Sequence, residues 1–153
     1  VYRCLIIYPK KEITMGFTYA DITLVNAIDM GVADRGLIPP ESVRMIDVRA
    51  LVDSGAMSLV IGKKIKEQLG LRVLRTTDGE LADGSSAACE VVGPVEVRFK
   101  NRATTCDAFV LVNANEVLLG VIPIEGMDVI IDPIKEELAL PPDRPNMARY
   151  YIK

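Results

Sequence analysis

Ala50-Leu51-Val52-Asp53-Ser54-Gly55-Ala56 runs from an apolar strand end into a carboxylate and a tight turn. Asp, Ser and Gly are ordinary turn residues, so these letters alone are satisfied by an Asx-turn in which the carboxylate bonds nearby backbone N–H groups. A D-[ST]-G triplet should also arise by chance in about one chain in ten of this size. The surroundings are more specific. Leu51 and Val52 imply a strand buried on both faces, so the carboxylate stands where an apolar strand ends. Further along, Leu118-Leu119-Gly120 repeats the order of apolar strand, Gly-containing turn and short helix. Two such units suggest a pseudo-symmetric all-β domain with small helices.

Upstream of this turn, residues 17–25 alternate with period two, placing Thr18, Ala20, Ile22 and Leu24 on one face of a strand. Residues 26–42 contain a helix-length piece ending at Gly36 and then Pro39-Pro40, which reads as a long hairpin insertion before a strand over 43–52. Downstream, a short strand is expected over 58–61. A helix follows with Ile61, Ile65 and Leu69 on one stripe and Gly70 as its stop. Asp83-Gly84 predicts a two-residue hairpin turn between strands over 71–80 and 85–92. Gly93-Pro94 predicts a bend into a strand over 95–99, and Asn101-Arg102 the turn into a strand over 106–112. A helical segment over 123–127, a last buried strand over 129–131 and a polar, Pro-rich tail over 141–153 complete the pattern. Residues 1–14 precede the regular pattern and read as a leader or N-terminal extension, dispensable for catalysis, or alternatively as an edge strand; residues 15–140 form the domain.

Composition narrows the chemistry. The 153 residues suit one domain with one core. Half are hydrophobic and mean hydropathy is +0.25, a surplus that suggests an apolar face buried against a second chain. Net charge is −3, so no global basic field draws nucleic acid or anionic lipid. The apolar run Leu5-Ile6-Ile7-Tyr8 is too short for a membrane span or signal core, and a cytoplasmic protein is expected. There is no histidine. That excludes Ser-His-Asp and Cys-His triads and H-E-x-x-H zinc sites within one chain. Cys4, Cys89 and Cys106 lack metal-ligand spacing and read as free thiols, giving little support to a redox or metal protein. Asp21, Asp47, Asp78 and Asp128 read as solvated charges.

Leu51 to Ala56, with Leu118-Leu119-Gly120 behind it, resembles the two signatures of retropepsin-like aspartic peptidases, retroviral-type enzymes with bacterial and archaeal members. The resemblance covers residues 17 to about 140 and implies an all-β, closed acid-protease barrel with one or two short helices, half of a C2 dimer. It implies Asp53 as the catalytic residue of an endopeptidase, with Ser54, Gly55 and Ala56 in the active-site loop. Ser54 stands where threonine is commoner and keeps the hydroxyl that braces the two loops across the dimer. Leu118, Leu119 and Gly120 support that loop, and Ala82, Asp83, Gly84 and Ser85 form a flap. A single D-S-G implies that two identical chains meet around one water on a peptide substrate, without cofactor or metal. The alternative is a non-catalytic peptide-binding or dimerisation module on the same fold.

Overall fold

The structure, a computed structural model, describes residues 17–153. The expectations for residues 1–14 and for Cys4 therefore lie outside the described residues.

Strand β1 (Tyr19–Asn26) buries Ala20, Ile22 and Leu24, as its alternation requires, and pairs antiparallel with β2 (Met45–Val52). The insertion between them holds helix α1 (Ala27–Asp34) and a 3-10 turn, Pro40–Ser42. Buried Asn26 fixes its geometry. The Asn26 side-chain oxygen accepts from the N–H groups of Ile28 and Asp29 at 3.0 and 3.1 Å, and its amide donates to the Leu69 carbonyl at 2.8 Å. At the far end, Arg44 clamps Asp29 through two side-chain hydrogen bonds of 2.8 and 2.9 Å.

After β3 (Leu59–Ile61), helix α2 (Lys63–Leu69) ends at Gly70, whose φ of 60° needs a residue without Cβ penalty. Strands β4 (Arg72–Glu80) and β5 (Ser86–Phe99) make the expected hairpin. Its tip is a three-residue loop rather than a two-residue turn. Leu81 N–H donates to Ser85 O at 2.8 Å and Gly84 N–H to Leu81 O at 2.9 Å, with Gly84 at φ 83°. Gly93-Pro94 does not end a strand: β5 continues through it as one 14-residue strand with a register shift between Val92 and Val95. Proline is tolerated there because a bulge leaves a ladder position without an N–H partner.

Strand β6 (Arg102–Val110) starts earlier than expected because Lys100 and Asn101 make the turn, with Lys100 at φ 51°. Then come β7 (Val117–Leu119), α3 (Val121–Gly126), β8 (Ile130–Asp132) and β9 (Glu137–Ala139). Val129 is buried, but Ile130 and Ile131 are only half-buried, because β8 lies at a sheet edge and pairs with β9 alone.

Strands β5, β6, β3, β7, β2 and β1 follow one another by pairing, and β1 pairs back to β5. This closes a six-stranded barrel, the retropepsin-like architecture, from which the β4–β5 hairpin projects. Leu24, Leu59, Ile61, Leu119, Ile124 and Met127 are fully buried inside. Each such side chain contributes about 1.5–3 kcal/mol by leaving water. Among the described residues no helix is long and apolar enough to cross a membrane.

Residues 141–150, expected as a tail, are tied to the body. Arg144 bonds both oxygens of Asp128 at 2.6 and 2.8 Å, and buried Arg102 donates to the Arg144 carbonyl. Asp128 is thus not a solvated charge. Burial pushes its carboxyl up, but hydrogen bonds from Arg144 and the Arg149 N–H outweigh burial and hold it below the usual carboxylate range. Cys89 and Cys106 are buried free thiols, as expected, and burial pushes Cys106 up to about 11.

Candidate active site

The strands on either side of Asp53 do not pair with each other. Strand β7 lies between them, parallel to β2 (Leu51 opposite Leu118, Val52 opposite Leu119) and antiparallel to β3 (Leu59 opposite Leu119). The Asp53 loop must therefore pass over the end of β7, which brings the two signatures together although 65 residues separate Asp53 from Leu118.

Backbone hydrogen bonds hold the loop to the end of β7 and the start of α3. Asp53 N–H donates to Leu119 O at 3.0 Å, Val121 N–H to Ala56 O at 3.0 Å, and Ile122 N–H to Met57 O at 2.9 Å. Gly120 sits where this crossing is tightest. A Cβ there would lie 2.3 Å from the Ser58 carbonyl oxygen and 2.6 Å from that of Ala56, closer than any real side chain comes. Glycine at this position is thus a demand of close backbone approach.

Within the loop, Gly55 N–H donates to Asp53 Oδ1 at 2.8 Å, the Asx-turn that the local letters allow. The turn and the chemistry expected of Asp53 coexist, since this bond engages one carboxylate oxygen and orients the group. Asp53 is half-buried, Ala56 is half-buried, and Ser54 and Gly55 are exposed. Ser58, not singled out from the sequence, is buried, and its hydroxyl donates to the Asp107 carbonyl at 3.0 Å, tying the loop's exit to β6.

Asp53 opens onto a cleft of about 700 Å³. Its floor is apolar, with Val60 from β3, Phe109 from β6 and Leu118 from β7. Leu118 therefore faces the cleft, whereas Leu119 is buried beneath the loop. The opposite wall is the β4–β5 hairpin. Of the expected flap residues, Ala82 lines the cleft, while Asp83, Gly84 and Ser85 form the exposed tip and do not. Asp83 stabilises that tip by accepting from the Ser85 hydroxyl and N–H at 2.5 and 2.9 Å, the hydroxyl bond first among the causes that lower its carboxyl pKa. The wall itself consists of residues 77–81 with Cys89 beside them. The half-buried positions Thr77, Gly79 and Leu81 alternate along β4, a period-two signal readable in the sequence once the strand is known to project over a site.

The model of a family described as aspartyl protease matches residues 43–122, a little over half of the chain, from before β2 through the start of α3. A comparison with curated proteins finds no match. Among solved structures, the retroviral protease-like domain of Ddi1 from Leishmania major is similar over 84% of this chain and 91% of that one. It has 18% identity and a TM-score of 0.53, a likeness that bears on the fold alone. A retropepsin-like aspartic protease from Rickettsia conorii matches with 15% identity over 69% of this chain, TM-score 0.40, and this chain spans 66% of its length. EIAV protease, in complex with an inhibitor, matches with 19% identity over 74% of this chain and 88% of that one, TM-score 0.39.

Proposed function

The chain belongs to the aspartyl protease family, with a retropepsin-like fold, and we propose that it is an aspartic endopeptidase whose active site is assembled from two copies of itself. The observation that carries this reading is the place of Asp53. Its carboxylate stands at the end of β2, where Ala50 is buried but Leu51 and Val52, expected buried on both faces, are only half-buried; it is oriented by Gly55 N–H and opens onto a cleft of about 700 Å³. Only one D-S-G occurs in the chain, so the second carboxylate comes from Asp53 of a second copy across a twofold axis.

Two carboxylates about 3 Å apart at an effective dielectric of about 20 repel by roughly 5 kcal/mol, so the pair holds one proton between them. The ionised member takes a proton from the water that attacks the scissile carbonyl; the protonated member donates to that carbonyl oxygen. The resulting tetrahedral intermediate collapses with cleavage of the C–N bond and protonation of the leaving amine. Exposed Ser54 braces the paired loops, the Leu119–Gly120 backbone fixes their height, and the β4–β5 hairpin covers the bound peptide and excludes water.

Cleavage of a peptide mixture, followed by mass spectrometry with and without a transition-state aspartic peptidase inhibitor and beside Asp53→Asn, tests this reading. Inhibitor-sensitive cleavage that disappears in the variant supports it. Peptide binding without cleavage by the wild-type dimer would favour a non-catalytic module instead.

A further inference from the structure

Helix α3 meets the rest of the chain by close contact at both ends. At its start, the N–H groups of Val121 and Ile122 donate to the Ala56 and Met57 carbonyls of the Asp53 loop. At its end, a Cβ on Gly126 would lie 2.4 Å from Thr104 Oγ1, so the helix presses on β6. The segment after β9 fastens that same end. Tyr150 Oη donates to the Gly126 carbonyl at 2.5 Å and Arg149 N–H to Asp128 Oδ2 at 2.9 Å. Arg144 adds its two bonds to Asp128, two residues beyond the helix. Asn101 Nδ2 donates to the Pro145 carbonyl at 2.9 Å and buried Arg102 to that of Arg144, which anchors the segment to the corner between β5 and β6.

We propose that residues 141–150 form a positioning strap for the active-site loop, with Arg144 and Tyr150 as positioning residues that act through α3. This deepens the endopeptidase reading and rests on it. Helix α3 has six residues, fewer than two turns, and Pro123 and Ile124 within it are buried, so it shifts as one piece. Held at Gly126 and Asp128, it keeps the Ala56 and Met57 carbonyls, and with them the Asp53 carboxylate, at one height. Freed there, it shifts against β6 and the loop follows, since packed rigid elements transmit displacement. A shift of about 1 Å in a reacting group lowers the rate by up to about 100-fold. The cleft floor is insulated from this movement, because Val60 pairs directly with Phe109 and with Leu118 in strand ladders of their own. Loss of the strap therefore falls on kcat, and KM stays near its wild-type value.

The test uses the full chain at concentrations where dimer dominates, as Arg144→Met/Tyr150→Phe and as Arg144→Lys, which keeps the charge but not the two-pronged contact. Hydrogen exchange followed by NMR reads the loop independently of activity. Relative to amides in the β5–β6 ladder, those of Val121 and Ile122 should exchange at least about tenfold faster in the double variant. The kcat per folded chain should fall about tenfold with KM within about twofold of wild type, and Arg144→Lys should lie between. A strap that only adds stability would raise exchange in both regions alike and leave kcat unchanged; either result overturns the proposal. Tyr150→Phe alone, which removes one hydroxyl from an exposed side chain, replaces the double variant if that one does not fold, with the same signs expected. If the wild type cleaves no peptide, the endopeptidase reading has failed, and exchange alone decides the inference. Selective exchange at Val121 and Ile122 then sustains the strap; unaltered relative exchange overturns it.

Discussion

The backbone N–H of Asp53 donates to the carbonyl of Leu119 at 3.0 Å, so the first residue of the acidic loop hangs from the last residue of β7. The height of the Asp53 carboxylate is thereby set by a strand that comes much later in the chain.

Asp53→Asn should abolish peptidase activity, with kcat reduced at least about 100-fold, because the amide cannot act as a base. Asn is nearly isosteric and its oxygen can still accept from Gly55 N–H, so melting temperature and sedimentation should stay close to wild type. Substantial cleavage by the purified variant would remove Asp53 from the mechanism.

Gly120→Ala should destabilise the fold by about 1–3 kcal/mol or more, since the new Cβ would lie 2.3 Å from the Ser58 carbonyl oxygen. Gly31→Ala in α1, where nothing lies within 4 Å, should instead be neutral or stabilising by up to about 1 kcal/mol. Urea unfolding of the two variants side by side checks the contrast. Surviving Gly120→Ala protein should also lose activity, because its relief requires the Asp53 loop to move.

The Asp128–Arg144 pair should give stability that depends on pH. The folded-state pKa of Asp128 is depressed, so its contribution is fully present above the ordinary carboxylate value near pH 4 and is lost as pH falls through the lower folded value. Arg144→Met should therefore cost roughly 1–3 kcal/mol at pH 7. The difference from wild type should narrow below about pH 4. A difference that stays constant from pH 7 into that acid range would show that Arg144 acts through packing alone.

Activity per chain should collapse on dilution, rising linearly with concentration while monomer dominates and reaching a plateau once dimer does. Mixing wild type with excess Asp53→Asn chains should poison activity, since each heterodimer carries one competent carboxylate. Ser54→Ala should shift the concentration midpoint upward. Constant activity per chain at concentrations where sedimentation detects only monomer would refute the shared site.

Much of this protein is legible in its residue order. Period-two alternation in 17–25, the apolar end of β2, the Ile65–Leu69 stripe stopped by Gly70, and the Asp-Gly tip are local signals. Backbone sterics and side-chain direction act over a few residues and need no distant partner to be read. Other features stayed hidden because their cause is non-local. Val129 to Ile131 looks like a buried strand, yet Ile130 and Ile131 are half-exposed because β8 has a neighbour on one side only. Asp128 looks solvated until Arg144 closes over it.

The sequence alone determined that a lone carboxylate follows an apolar strand end, that no histidine is present to assist it, and that a second apolar-apolar-Gly signature stands ready behind it. Those are matters of composition and short-range pattern. Only the tertiary structure decided that β7 threads between β2 and β3, that Gly120 touches the Ser58 backbone, and that the cleft wall is Thr77 to Leu81 rather than the hairpin tip. Strand order and close backbone approach come from closing the barrel, where pairing partners are chosen by mutual burial across tens of residues, and no single stretch of the chain carries that choice.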